Sequence, residues 1–519
     1  VEWIQTHLSH VFLTGERVYK FRKAVDLGFV DFATRAARNR DCLAEVSLNR
    51  RLAPDVYLGV AALEARSGAP RIGSVREDLA EDASGHAHEH CVVMRRLRHD
   101  RDALSLLEAG TLSAHQLDRA ATRVAAFHET HRLGVPAPFT ETEWVLACTG
   151  PVDDNLRLLA DGADDEMAAL VVDAQAHADE FIARHRDRFE ERRLRGAAVD
   201  AHGDLHLQHL FFEHDDADPI VIDCLEFSER LRHIDAASEV AFTAMDLGYR
   251  GEHALGERFL RSYARESGDF DLYRVVDYFI AYRAAVRAKV AAITGRDPAV
   301  PADQRRGARA SALRHLRYAI DIGESRAPGA LVVVTGTVGS GKSTAANALA
   351  EWLGCEGDVS PVVVASDRVR KRLAGLDPHD RSGADANLYT DTHTERTYDT
   401  VLGFAETIAR SGRMAILDAT FSERRHRDAV RDLATALGST AWCVETRVPV
   451  KIALERLGVR SALGGDPSDA GPELHAQSVA SYQTPDEWPE AQRQVIETHP
   501  DGWQSALEGI ARKIVTSPR

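Results

Sequence analysis

The sequence predicts two folds in one chain: a mixed α+β region over residues 1–327 and a parallel α/β sheet over 328–519. Two observations predict this. Beyond residue 328, short apolar, β-branched runs (331–335, 361–365, 414–418, 441–445 and a final segment at 512–516) alternate with helical stretches, as in a parallel sheet wrapped by helices. Before it, strand-like segments crowd into residues 1–95, whereas helical periodicity dominates 96–327, giving a sheet-bearing lobe and a helical lobe. The segment Ser325-Arg326-Ala327-Pro328-Gly329 separates the regions.

In chain order, His10–Leu13 and Arg17–Arg22 form a hairpin around Thr14-Gly15-Glu16, Asp41–Leu52 is a helix and Cys91–Met94 a strand. The intervening histidines 86, 88 and 90 lie in a polar stretch with no carboxylate or cysteine frame, and read as a solvated loop. Within the helical lobe, Ala197–Asp200, Leu210–Glu213 and Ile220–Asp223 are strand-like, and 294–310 is a loop entering a last helix. Arg283, Arg287 and Val290 share one face of a basic helix, fitting either an anionic ligand or a solvated, ion-paired surface.

Composition narrows the function classes. The net charge of −16 opposes nonspecific binding to nucleic acid or anionic membrane. The six cysteines are scattered without a CxxC pair, as expected of reduced thiols in a cytoplasmic protein. No apolar run reaches bilayer-spanning length. The chain opens on Val1 just before a strand, which implies a non-standard start codon or preceding native residues.

The segment Gly336-Thr337-Val338-Gly339-Ser340-Gly341-Lys342-Ser343-Thr344 follows the apolar strand 331–335 and opens a helix. Glycines at these positions let backbone N–H groups wrap a phosphate; Lys342 reaches the β/γ-phosphates and the Ser343 hydroxyl ligates Mg²⁺. Asp367, after the second strand, suits a base that deprotonates an acceptor hydroxyl, and Asp418, ending a third, suits the Mg²⁺ shell. An Asp at a strand end also serves as a plain helix cap. Arg456 and Arg460 share a helix face and are placed to close on a triphosphate, or are surface arginines; Gly464–Asp469 is a lid hinge. These motifs together resemble the P-loop kinases that include gluconate kinase, polynucleotide 5′-hydroxyl kinase and zeta-toxin-like sugar-nucleotide kinases. The resemblance implies ATP and Mg²⁺ as cofactors.

In the first region, His202-Gly203-Asp204-Leu205-His206-Leu207-Gln208-His209 lies between strand-like segments, and Ile220-Val221-Ile222 then ends in Asp223. A loop Asp followed by a strand-terminal Asp suits phosphoryl transfer, the first taking the acceptor's proton and the second holding Mg²⁺. The pattern HGDLH with its later Asp resembles the catalytic loop of aminoglycoside phosphotransferases, which share the protein-kinase fold. That resemblance implies Asp204 as base, Asp223 as metal ligand, Lys20 as the phosphate-binding lysine and Glu45 as its partner. It also implies a hinge strand at Cys91–Met94, with Met94 against adenine, and Glu226 as a further metal candidate. His209 departs from the family, which carries Asn there. An imidazole suits Mg²⁺ poorly, so the metal contact is remodelled, Mn²⁺ is tolerated, or turnover is reduced. Histidines 202, 206 and 209 also admit a zinc face, although Gly203-Asp204 is a poor helix start.

The expectation is an ATP-dependent phosphotransferase with two nucleotide sites acting on a hydroxyl or amine of a small polar metabolite. The architecture resembles a bacterial family that fuses an aminoglycoside-phosphotransferase-like domain to a P-loop kinase. The alternatives are a ligand-sensing first domain that regulates the second, or a 5′-hydroxyl kinase of nucleic acid, which the net charge disfavours. Oligomeric state is not legible.

Overall fold

The computed structural model describes residues 1–6, 8–26, 30–66, 69–81, 87–324, 326–355, 359–378, 388–463, 472–499 and 502–516. The chain divides into two compact units, Val1–Phe259 with Tyr278–Gly323, and Leu260–Asp277 with Glu324–Arg519. Leu260–Asp277, which the sequence groups with the helical lobe, thus belongs to the second unit. The Arg413–Asp277 ion pair at 2.7 Å and the Phe270–Phe404 ring contact at 4.9 Å hold it there.

The first unit begins with a six-stranded antiparallel sheet in the order Glu2–Gln5, Ser9–Leu13, Arg17–Arg22, His90–Arg95, Tyr57–Arg66, Ala69–Ile72. Val18, Val60, Val92 and Met94 bury against Cys42 and Val46 of the helix Arg35–Asn49. That helix starts two turns before the expected Asp41, because Thr34 caps it by accepting from the Ala37 N–H at 3.2 Å. Its first turns carry no apolar stripe, which hid them from periodicity. His86 lies outside the described residues; His90 is buried, its Nε2 accepting from the Ala80 N–H at 2.9 Å, a structural rather than a ligand role.

The rest of the first unit is helical, with two short antiparallel pairs: Leu210–Phe211 with Ile220–Val221, and Ala198–Asp200 with His233–Asp235. The expected final helix runs Ala302–Gly323 and the one before it Val276–Arg296, so the loop expected over 294–310 shrinks to 297–301. The helix Ala236–Tyr249 is buried along nearly its whole length and is capped by Asp235, whose carboxylate also pairs with Arg192 at 2.8 Å.

The second unit is a five-stranded parallel sheet in the order Pro361–Ala365, Met414–Asp418, Leu331–Thr335, Ala441–Arg447, Arg493–Glu497. Its central strand is fully buried, as its unbroken apolar run requires. The fifth strand corrects the sequence expectation: residues 512–516 end the helix Gln504–Thr516, which buries Leu507, Ile510, Ala511 and Ile514 at helical spacing. The edge strand Arg493–Glu497 buries only Ile496 and so carried no apolar signal. No helix among the described residues is long and apolar enough to cross a membrane.

Candidate active sites

In the second unit the phosphate loop leaves the carboxyl end of the central strand, where parallel sheets place their ligand crevice. Gly336 sits at φ +149°, and a Cβ there would meet the Thr446 carbonyl oxygen at 2.5 Å, so only glycine fits. The loop is braced from behind. Ser340 Oγ and Thr446 Oγ1 are 2.7 Å apart, and the Thr498 hydroxyl donates to the Ser340 carbonyl at 2.8 Å. Lys342 Nζ donates to the Thr337 carbonyl at 2.9 Å, folded over the loop it serves.

Lys342, Ser343, Asp367 and Asp418 line one cleft of about 650 Å³. Asp367 enters on the short helix Ser366–Leu373, and Asp418 is buried at its strand end. A serine hydroxyl and a carboxylate are hard oxygen donors, so this pair fits Mg²⁺. The cleft also holds residues the sequence did not single out. Tyr398 receives the Phe421 N–H at 3.0 Å and stacks on His426 at 3.9 Å; burial raises its phenol pKa. Phe421 takes φ +43°, a left-handed backbone that a β-branched or bulky residue seldom adopts. Tyr398 belongs to no recognisable short motif; Phe421 ends the run Leu417-Asp418-Ala419-Thr420-Phe421, one of those that carry the P-loop kinase resemblance, and is not itself on the cleft wall.

Arg456 corrects the expectation of a guanidinium over the triphosphate. It donates to Thr498 Oγ1 at 2.9 Å and to the Thr498 carbonyl at 2.6 Å, behind the loop and off the cleft wall. The Arg460 side chain and Gly464–Asp469 lie outside the described residues. The second face of the loop is instead held by Ser478, whose Oγ accepts from the Val338 N–H at 3.0 Å, and by His475, which donates to the Val338 carbonyl at 2.7 Å.

In the first unit, Lys20 Nζ bridges Glu45 at 2.9 Å and Asp223 at 2.8 Å, so the structure brings these three together. Burial disfavours the Lys20 charge, but Asp223 and Glu45 overcome it and raise the amine. The Lys20 ammonium in turn holds the Asp223 carboxyl well below the usual range. Asp223 has φ +64°, with its N–H donated to the Tyr57 hydroxyl at 3.1 Å; such a backbone concentrates at functional sites. Beneath Lys20 lies Arg22, buried and paired with Asp41, Glu45 (2.6 Å) and Glu226. Burial raises the Glu226 carboxyl, and its Arg22 partner makes it a structural group rather than a metal donor. Sequence reasoning passed over Arg22, because a basic strand residue is ordinarily solvated. Met94 is buried on the neighbouring strand, paired in register with Val18.

The loop carrying Asp204 is fixed by buried contacts. Gly203, at φ +89°, donates its N–H to Glu239 at 2.9 Å, and its carbonyl accepts from Arg283 at 3.3 Å. Arg283 is therefore buried under the loop, over the Phe242 ring, and not a cation presented to a ligand. Burial alone would raise the Asp204 carboxyl, but the imidazoles of His206 and His209 hold it well below its ordinary value. Burial also lowers His202 to about 3, leaving a neutral ring that donates to the Ile222 carbonyl at 2.8 Å. His209 Nε2 lies 3.5 Å from Asp223 Oδ2, so the imidazole faces the carboxylate expected to hold the metal. Asp223 supplies an oxygen that fits Mg²⁺; His209 supplies a nitrogen that does not.

Fold and site together define a two-unit protein whose second unit is a P-loop domain. The family described as an AAA domain matches residues 331–485. The chain is 34% identical over 481 residues to the uncharacterized protein Rv2004c of Mycobacterium tuberculosis (strain ATCC 25618 / H37Rv), covering 92% of this chain and 89% of that one. The uncharacterized protein Mb2027c of Mycobacterium bovis (strain ATCC BAA-935 / AF2122/97) matches to the same extent. The chain belongs to the family of these mycobacterial proteins. Among solved structures, a gluconokinase from Sinorhizobium meliloti 1021 is 19% identical with TM-score 0.24, covering 36% of this chain and 90% of that one. The Mycobacterium tuberculosis APS kinase CysC in complex with AMPPNP and APS is also 19% identical, with TM-score 0.27, over 36% of this chain and 99% of that one.

Proposed function

We propose that the protein is an ATP-dependent phosphotransferase whose second unit transfers a γ-phosphoryl group to a hydroxyl of a small polar molecule. One observation carries this reading: the loop lysine Lys342 and two carboxylates, Asp367 and Asp418, face a single cleft. A second carboxylate at the mouth of the neighbouring strand, beside the metal-side Asp418, suits deprotonation of an acceptor hydroxyl. Ser343 and Asp418 would hold Mg²⁺, which supplies charge neutralisation across the β- and γ-phosphates. Lys342 exchanges the Thr337 carbonyl for phosphate oxygens. Asp367 takes the acceptor proton as the new O–P bond forms and the bond to the departing nucleoside diphosphate breaks.

The first unit is proposed to hold a second nucleotide, with Lys20 on its phosphates, Glu45 fixing Lys20, Asp223 as the metal-side carboxylate and Asp204 facing the acceptor. Met94 lies on the strand proposed to border adenine. A ligand-sensing role for this unit is favoured by one observation, the imidazole of His209 where a hard oxygen is expected. The test is transfer of labelled γ-phosphate into a library of polar metabolites by the full chain and by Lys342→Ala and Asp204→Asn. Transfer that Lys342→Ala abolishes supports the reading; transfer indifferent to Lys342→Ala refutes it. Transfer unchanged by Asp204→Asn favours the sensing role for the first unit.

A further inference from the structure

The loop of the first unit places two imidazoles around one carboxylate. Asp204, His206 and His209 each offer a donor atom within 4.8 Å of the others, and His206 is buried. His206 Nε2 lies 3.6 Å and His209 Nδ1 3.7 Å from Asp204 Oδ2, while His209 Nε2 lies 3.5 Å from Asp223 Oδ2, outside the group. These separations are longer than good hydrogen bonds. They approach the spacing of two ligands on one ion, about 3.0–3.5 Å for bonds near 2.1 Å at tetrahedral or octahedral angles.

The orientation of His209 is set as metal-binding imidazoles usually are. Its Nδ1–H donates to the Asp204 carbonyl at 2.8 Å, which fixes the tautomer and leaves Nε2 with a free lone pair turned toward Asp223. The loop beneath is pinned, since the Leu207 N–H donates to Asp246 at 3.2 Å and the Thr243 hydroxyl to the Leu205 carbonyl at 2.8 Å. The donor set is two imidazole nitrogens and a carboxylate, which suits Zn²⁺, Co²⁺ or Mn²⁺ far better than Mg²⁺.

We propose that Asp204, His206 and His209 form a site for one divalent transition-metal ion. The inference goes beyond the phosphotransferase reading and does not rest on it, because ligation requires no nucleotide. It has a consequence for that reading: an ion held by Asp204 removes the carboxylate that would take an acceptor proton, while Lys20 and Glu45 stay free of the ion.

The test is a titration of the chelator-treated full chain with Co²⁺ alone, without nucleotide, followed by visible absorption. The expected result is a saturable band for one ion, displaced by Zn²⁺ and not by millimolar Mg²⁺. His206→Ala and His209→Ala, with folding checked by circular dichroism, each weaken Co²⁺ by about tenfold or more. His209→Asn replaces nitrogen with a hard oxygen at nearly constant shape, and should weaken Co²⁺ while strengthening Mg²⁺. No band in the native protein, or titrations that are identical for the native protein, His206→Ala and His209→Asn, would overturn the proposal. Because no nucleotide is present, failure here is distinguishable from failure of phosphate transfer.

Discussion

Lys20 and Asp223, 203 residues apart in the chain, meet in a 2.8 Å ion pair. Glu45 is on the other side of the same ammonium. Replacing Lys20 with Met removes the cation proposed to meet the phosphates. In a Lys342→Ala background, nucleotide affinity should fall about 10- to 100-fold, the worth of one or two charge-assisted hydrogen bonds. Equilibrium binding of a fluorescent ATP analogue measures it.

Arg22 is the structural counterpart of Lys20. Its guanidinium is 2% exposed and faces the carboxylates of Asp41, Glu45 and Glu226. Arg22→Met strips the buried Asp41 and Glu226 carboxylates of their counter-ion and leaves Glu45 to Lys20 alone, and should destabilise the first unit by about 3–5 kcal/mol in chemical denaturation. Arg22→Lys recovers only part of this, since an ammonium cannot reach three carboxylates as a planar fork does.

His315 gives a pH dependence of known sign. Burial lowers its pKa to about 4, and its ring stacks on Tyr249 at 3.6 Å. The unfolded chain takes a proton near pH 6.5 that the folded state refuses until about 4, so stability is full above about 6.5 and falls below it. Between about pH 7 and 5 the loss should be roughly 1–2 kcal/mol, and His315→Phe, which keeps the stacking, should remove that part of the slope. Denaturation midpoints at the two pH values check it.

Gly336→Ala places a methyl 2.5 Å from the Thr446 carbonyl oxygen, which belongs to a sheet strand and cannot move aside. The variant should lose nucleotide binding in the second unit and about 1–3 kcal/mol of its stability. Thermal melts with and without ATP and Mg²⁺ give both: the ligand-induced rise attributable to this unit should vanish.

The parallel sheet of the second unit was legible because its inner strands are buried on both faces and read as continuous apolar runs, with the phosphate loop marking the first. The edge strand Arg493–Glu497 was not, since it buries one residue. Asp204, Asp223 and Asp418 were legible as carboxylates at strand ends and in a glycine-bearing loop. Arg456 was misread because helical spacing gives a face but not what that face packs against, here Thr498. Arg22, Tyr57 and Tyr398 carry no motif. Their roles come from tertiary neighbours 13 to 204 residues away for Arg22, 166 for Tyr57 and 22 to 28 for Tyr398.

The number of nucleotides bound tests the account most directly. Calorimetric titration of the full chain with a non-hydrolysable ATP analogue and Mg²⁺ should give two sites, falling to one in Lys342→Ala, with that remaining site weakened about 10- to 100-fold in Lys20→Met/Lys342→Ala. A single site in the native chain, or two sites persisting in Lys342→Ala, would contradict it.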